Sequence, residues 1–390
     1  MTSEPGGPAG TRQRFDIATP PRHRPVWAEV DLTAITHNAT VLHQHAKTSQ
    51  LMAVVKADGY GHGAVPVAMA ALAGGATWLG VAMVEEGEQL RAAGITAQIL
   101  VLSEPPAQAA GPLLAADLTP TVYTHSFVQA LIAAADGQTV DVHLKLDTGM
   151  RRVGLVEEAW AEAFGHLASS DAVRVTGLWS HLAVGDEDGN DFTRLQQQRF
   201  ARGVSMAQSA GLDPSLVHIA NSGGTTLSTA LHLDMVRAGI ALYGCEAAPG
   251  VLLAGLRPAM SLRSRLSLVK PLAAGDSVGY GRRWAAPVDT VVGTVPGGYA
   301  DGIRRGLTNI GQVVVNGRRV PIAGTVSMDQ FIVDLGPGAT DAEGDDVWLI
   351  GGPSTEAVTA ADWAHWLDTI TYEVTCGIGA RVPRVYNDGL

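Results

Sequence analysis

The sequence predicts an α/β fold: a (β/α)8 TIM-type barrel followed by a mostly β C-terminal domain. Three observations carry this expectation. Eight short apolar runs alternate with helical segments between Leu51 and Gly244. Several loops that follow these runs hold polar or glycine clusters, where a parallel barrel places its chemistry. Beyond Arg257-Pro258 the pattern changes to short alternating runs separated by Gly, Pro, Asn and Asp. An open, doubly wound sheet satisfies the same alternation, and pattern alone does not separate it from a barrel.

The elements follow in order. Residues 1–25 are rich in Pro and Gly and hold no apolar stretch, so they read as a disordered tail rather than a signal peptide. From Val26 the chain is patterned. Asp31 is a candidate N-cap for a helix that presents Leu32, Ile35, Ala39 and Leu42 on one face. The eight apolar runs begin at Leu51, Trp78, Gln98, Thr119, Val140, Val173, Leu216 and Asp234. Helical segments between them include 84–93, 126–135, 156–168 and 191–210. Residues 26–257 are thereby assigned to the barrel.

Residues 258–390 are assigned to the second domain. Its runs lie at 261–269, 277–280, 290–295, 312–315, 331–335 and 346–350, with one helical segment at 357–369. Asn316-Gly317 is a strong hairpin signal, because both residues tolerate the positive φ that a tight type I′ turn requires.

Composition narrows the function classes. Among 390 residues, 27 Lys+Arg against 38 Asp+Glu give a net charge of -11. Nucleic acid is therefore not expected as a partner, since phosphate neutralisation needs clustered cations. No apolar run reaches the roughly 20 residues of a membrane helix. Only Cys245 and Cys376 occur, without a CxxC pair, which argues against a disulfide framework or a cysteine zinc site. The expected compartment is the reducing cytoplasm, and no metal site is predicted.

The chemistry-bearing residues cluster at strand ends. Lys56 ends the first run and is followed by Gly59, Gly61 and Gly63. A lone lysine there snorkels to water. A desolvated amine with glycines nearby is also suited to an aldehyde cofactor, the glycines letting backbone approach a ligand. The segment 142–154 holds Lys145, Asp147 and Arg152, and a Lys145–Asp147 pair would be a purely structural use. His181 follows the sixth run. Asn221 and Ser222 precede a helical segment, where an N-cap and a bound phosphate are equally compatible. Arg237 sits in the last run, with Asp234 as an alternative ion-pair partner. Tyr280 lies between glycines in what would otherwise be a surface turn.

Taken together and in chain order, these segments and the elements at 297–302 and 324–330 resemble the motifs of the alanine racemases, pyridoxal-phosphate enzymes built as a barrel plus a β domain. The resemblance implies pyridoxal 5′-phosphate as cofactor, with Lys56 forming its Schiff base. It places Tyr60, Ser222, Gly239 and Ile240 at the phosphate. It puts His181 beside the cofactor and in hydrogen bond with the catalytic tyrosine, and sets Arg237 opposite the pyridine nitrogen. An arginine does not release its proton, so that nitrogen stays unprotonated and the ring is a weaker electron sink.

Arg152 and the Met328 backbone N–H would hold the substrate carboxylate. Lys145 matches a lysine that is often carbamylated and then orients the arginine. Tyr299 would line the site and Asp329 would buttress its loop. The implied activity is interconversion of L- and D-alanine through an external aldimine, with Lys56 and Tyr280 as bases on opposite faces, supplying D-alanine for cell-wall synthesis. A homodimer with an active site shared between subunits is implied as well, most simply two-fold symmetric.

Two positions depart from the family pattern. Ser327 stands where some members carry Cys, and Ala380 where some carry Tyr near the entrance. Substrate breadth is thus open: a racemase of serine or basic amino acids is the alternative, as is a non-catalytic pyridoxal-phosphate-binding homologue. Cys245 and Cys376 match no catalytic position, so no thiol chemistry is expected.

Overall fold

In the computed structural model of the chain, residues 23, 25–352 and 355–387 are described. The tail expected over 1–25 lies almost wholly outside the described residues. Strand β1 (Trp27–Asp31) leads directly into helix α1 (Leu32–Ala46). The Asp31 carboxylate accepts from the Thr33 and Ala34 backbone N–H groups at 2.8 and 3.0 Å, satisfying two donors that a helix start leaves orphaned. Leu32, Ile35, Ala39 and Leu42 are all buried, as their spacing predicts.

Eight parallel strands follow: β2 (Gln50–Val54), β3 (Trp78–Val81), β4 (Gln98–Val101), β5 (Thr119–Val122), β6 (Val140–Lys145), β7 (Val173–Trp179), β8 (Leu216–His218) and β9 (Met235–Ala238). Each falls on one of the eight apolar runs. They form one sheet in the order β8-β7-β6-β5-β4-β3-β2-β9. Between its two ends, Asp234 N–H donates to Val217 C=O at 3.1 Å and Arg237 N–H to Ala220 C=O at 3.2 Å. The sheet therefore curls into a nearly closed barrel rather than an open sheet. Such strands are covered on both faces, which explains why they read as continuous apolar runs. Helices Ala64–Ala73 and Ala110–Ala115 were not anticipated. Both are alanine-rich, so no polar face marks their period.

The second domain is built from β10 (Met260–Arg265), β11 (Leu268–Leu272), β12 (Ser277–Val278), β13 (Trp284–Ala285), β14 (Thr290–Pro296), β15 (Gln312–Val315), β16 (Arg318–Pro321), β17 (Gln330–Gly336), β18 (Asp346–Ile350) and β19 (Arg384–Asn387). A six-stranded sheet runs β16-β15-β18-β10-β1-β19, and a three-stranded one β11-β14-β17. The single run at 261–269 is thus two strands, because the chain crosses from one sheet to the other after Arg265. Asn316 and Gly317 adopt φ of 47° and 77° between β15 and β16, pairing Val315 with Arg318. Strand β1, although it precedes the barrel, pairs antiparallel with β10 and parallel with β19. Both ends of the described chain are therefore woven into the second sheet.

Candidate active site

A cavity of about 580 Å³ opens at the C-terminal ends of the barrel strands. Lys56, Tyr60, Lys145, Arg152, His181, Ser222, Arg237 and Gly239, all singled out from the sequence, line it. Lys56 stands at the head of an unusual turn. Ala57, Asp58, Gly59 and Tyr60 all have φ between 51° and 61°, a short left-handed helical run. Such a run costs about 1–2 kcal/mol per non-glycine residue, so it persists only where surroundings hold it. Glu86 does so by accepting from Ala57 N–H at 2.6 Å, and Asp58 by accepting from Ala64 N–H at 2.9 Å.

Two of the glycines in this loop serve a different purpose from the one expected. A Cβ on Gly61 would stand 2.4 Å from the Thr375 carbonyl oxygen, and one on Gly63 would stand 2.0 Å from the Tyr386 hydroxyl. They let the C-terminal segment, not a ligand, press against the loop. Arg384 fastens the contact, donating to Gly61 C=O at 2.9 Å and to the carbonyls of Ile378, Gly379 and Val382.

The wall beside the lysine, after β9, the neighbour of β2, forms an anion cradle. Asn221 caps helix Ser222–Leu227 through Gly224 N–H at 3.0 Å, which leaves Ser222 available for other work. The Ser222 Oγ accepts from Gly239 N–H at 2.9 Å and Ala241 N–H at 3.3 Å. With both lone pairs engaged, its own hydrogen is left to donate outward. A Cβ on Gly239 would lie 2.6 Å from Tyr60 Oη and 3.6 Å from Ser222 Oγ, so those hydroxyls converge where only a glycine fits. Ile240 is fully buried and lies behind this wall rather than along the cavity.

The cavity is electropositive. Burial and then Arg152 lower the Lys56 pKa. Burial, followed by Arg237, Arg152 and Lys56, brings Lys145 down to about 7. Its amine lies 4.0 Å over the Trp179 ring, and Asp147 instead accepts from the Gly149 and Arg151 N–H groups. Arg237 donates to Ser180 C=O (2.8 Å), Ile219 C=O (3.1 Å), His218 Nδ1 (3.0 Å) and His181 Nδ1 (3.2 Å). It makes no ion pair with Asp234, whose carboxylate accepts from Val217 N–H. Burial pulls Arg237 to about 9, which still leaves it charged at neutral pH. Because arginine only donates, the Nδ1 of His181 is the acceptor and its proton sits on Nε2. Burial and the surrounding cations keep this imidazole neutral.

Tyr280, Tyr299, Met328 and Asp329 do not line the cavity of their own chain. They gather elsewhere, in one patch. Thr325 Oγ1 donates to Tyr280 C=O at 2.8 Å, Tyr299 N–H to Ser327 C=O at 3.0 Å, and Ala300 N–H to Met328 C=O at 3.0 Å. Arg381 braces this patch through Asp301 at 3.1 Å and Asp329 at 2.7 Å. Tyr280 is 75% exposed, Met328 52% and Tyr299 45%. Three large side chains are thus exposed together in one patch of the second domain.

Three lining residues, Trp179, Tyr372 and Cys376, went unrecognised, as did Glu86, which stands behind the lysine turn. Trp179 passed as one more apolar strand residue, although its inward position two residues before His181 was a usable signal. Glu86, which braces the left-handed turn, carried none. Tyr372 and Cys376 come from the C-terminal helix Thr371–Cys376 and line the cavity. Cys376, which matched no catalytic position in the sequence, is in this cavity, with its thiol pKa raised by burial. Ala380 is exposed and stands away from the cavity. Among the described residues no His, Cys, Asp or Glu group is arranged to hold a metal ion, and no helix is long and apolar enough to cross a membrane.

Comparisons with known proteins agree over more than nine-tenths of the chain. The family model "Alanine racemase, N-terminal domain" matches residues 30–247, and "Alanine racemase, C-terminal domain" matches residues 259–386. The alanine racemase of Mycolicibacterium vanbaalenii is 47% identical over 368 residues, covering 93% of this chain and 94% of that protein. That of Symbiobacterium thermophilum is 46% identical over 366 residues, covering 93% and 97%. Among solved structures, the alanine racemase from D-cycloserine-producing Streptomyces lavendulae superimposes with a TM-score of 0.92 at 42% identity, covering 96% of this chain and 99% of that one.

Proposed function

The chain belongs to the alanine racemase family of isomerases, and from that premise we propose that it interconverts L- and D-alanine with pyridoxal 5′-phosphate held in the barrel mouth. The observation that carries the proposal is the convergence, in one cavity, of a desolvated lysine, a two-hydroxyl anion cradle and a buried arginine without a carboxylate. The residues fit the group. Tyr60 Oη and Ser222 Oγ converge beside Gly239, and two hydroxyl donors facing one part of the cavity suit a phosphate there. When bound, pyridoxal 5′-phosphate anchors the substrate amino group and draws electrons from the α-carbon.

The chain's own residues do the rest. Lys56 would hold the cofactor and then move a proton at the substrate α-carbon through Nζ; its lowered pKa makes the neutral amine accessible. Arg152, on the cavity rim, would take the substrate carboxylate. Lys145, with a pKa near 7, is nucleophilic enough at neutral pH to take up carbon dioxide, and the resulting carbamate would orient Arg152. Arg237 would face the ring nitrogen as a donor that never gives up its proton.

Tyr280, the expected second base, does not line the cavity of its own chain and stands exposed on the patch. We place it over the cavity of a second copy of the chain, where the His181 Nε2–H would meet its phenol and ease its ionisation. Met328 and Tyr299 would arrive with it, making a two-fold homodimer with shared sites. The domain division at residue 257, a cytoplasmic location and a role in supplying D-alanine for cell wall belong to the same proposal.

Optical rotation of L-alanine with enzyme and cofactor should decay to zero; an unchanged rotation would sink the activity. A parallel panel of alanine, serine and lysine measures substrate breadth. Mixing inactive Lys56→Ala and Tyr280→Phe proteins should restore activity in hybrid dimers, and no recovery after subunit exchange would refute the shared site.

A further inference from the structure

Arg237 is 3% exposed, and no carboxylate pairs with it among the described residues. Since a guanidinium can only donate, every group it touches must accept. The His218 Nδ1 at 3.0 Å is therefore bare, and the proton of that ring is on Nε2. That Nε2 lies 3.1 Å from His143 Nδ1, so His143 accepts in turn and carries its own proton on Nε2. The hydrogen-bond direction runs one way, from Arg237 through His218 to His143.

His143 is wholly buried on β6, inside the barrel. Its Nε2 has no partner, nor does the buried Oγ1 of Thr121. Thr121 and His143 are register neighbours on β5 and β6. Two adjacent buried polar atoms without partners point to a buried water that joins them. The ring also shapes its surroundings: a Cβ on Gly177 would lie 2.4 Å from three of its atoms. Burial and Arg237 lower the pKa of His143 to about 3 and hold His218 well below its ordinary value, so both rings stay uncharged.

We propose that His143 is a positioning residue for Arg237: with His218 and a water bridging to Thr121, it forms a one-way chain of hydrogen bonds that stands in for the absent carboxylate and fixes the guanidinium fork. Without an acceptor at the His143 Nδ1 position, His218 is free to move its proton to Nδ1, which would aim an N–H at Arg237. The fork would then lose its alignment toward the cofactor ring nitrogen. Only that last step rests on the function proposed above; the hydrogen-bond chain does not.

The experiment has two arms on the purified holoenzyme. Imidazole 15N NMR should find His143 and His218 as neutral Nε2–H tautomers that do not change between about pH 6 and 8. An Nδ1–H tautomer or an imidazolium at either ring overturns the proposal. In the second arm, His143→Leu removes the acceptor, while His143→Asn keeps an oxygen near the Nδ1 position. The Leu variant should lose about tenfold in kcat, the scale of outer-shell effects, with KM for alanine held within about twofold and the pH titration of the cofactor absorbance band displaced. The Asn variant should recover both. A Leu variant with wild-type kcat and an undisplaced band overturns the proposal. If wild-type protein itself shows no cofactor band and no racemisation, the enzymatic reading fails, and the tautomer measurement still decides the chain. The same measurement decides it if the Leu variant does not fold.

Discussion

Replacing Gly239 by alanine probes the cradle most directly. The added Cβ would stand 2.6 Å from Tyr60 Oη and 3.3 Å from Tyr60 Cζ. Tyr60 has little room to retreat, because its ring packs against Tyr243 at 5.0 Å and Tyr372 at 5.9 Å. The hydroxyl must then leave the cradle or exclude the phosphate. A hydrogen bond to a charged group contributes about 1.5–3 kcal/mol. Losing one should weaken pyridoxal 5′-phosphate binding by about 10- to 150-fold, at about 1.4 kcal/mol per tenfold. The assay is absorbance titration of cofactor-stripped protein. Tyr60→Phe, which removes the hydroxyl without adding a methyl, sets the scale. Gly239→Ala should bind at least as weakly as Tyr60→Phe. Affinity within about twofold of wild type would show that the cradle is misassigned.

Other expectations concern stability and pH. His62 is fully buried, and its pKa is lowered from 6.5 to about 4 by burial. The unfolded chain binds more protons between those values, so stability present above pH 6.5 drops as the pH falls through the window, by about 3 kcal/mol at pH 4. Urea midpoints of His62→Gln should fall less steeply with acid than those of wild type; parallel curves would refute the assignment.

Gly61→Ala should cost about 1 kcal/mol for its φ of 81° plus 1–3 kcal/mol for the clash with Thr375. Gly94→Ala, at the same φ but with nothing within 4 Å, should cost only the first part. Equal midpoints for the two variants would remove the clash from consideration. For Lys145, the neutral amine fraction rises as pH climbs through about 7. A carbamate signal from 13C-bicarbonate should grow from pH 6 to 8 and be absent in Lys145→Ala; a signal that persists in the variant assigns the adduct elsewhere.

The barrel was legible in the sequence because a strand covered on both faces is mostly apolar; β3 and the end of β4 are unbroken apolar runs, and the charges Asp141 and Arg174 interrupt β6 and β7 only at exposed positions near their starts. Asn316-Gly317 was legible because its turn demands positive φ at both positions. The partners of β1 and β19 were not, since parallel pairing between distant segments leaves no local pattern. The site divides the same way. Lys56, His181 and Arg237 are polar residues at or just after the ends of apolar strands, and Arg152 follows in the loop after β6, so each stands out from its surroundings. Trp179 was hidden because an indole in an apolar run looks like core. Tyr372 and Cys376 were hidden because they reach the cavity from a different domain. Gly61 and Gly63 were visible but misread: their freedom accommodates the protein's own C-terminal segment.

The grip of Arg384 on the Lys56 loop has a consequence for how the protein is made. The ribosome finishes the barrel strands long before it releases β19, so Glu86 and Asp58 can brace the left-handed turn beside Lys56 early, whereas the grip of Arg384 on Gly61 comes only at the end. A nascent chain therefore carries the lysine in an unfinished setting until synthesis is nearly over. The last brace of this loop is tied in this way to completion of the polypeptide, and a product that stops before residue 384 lacks it.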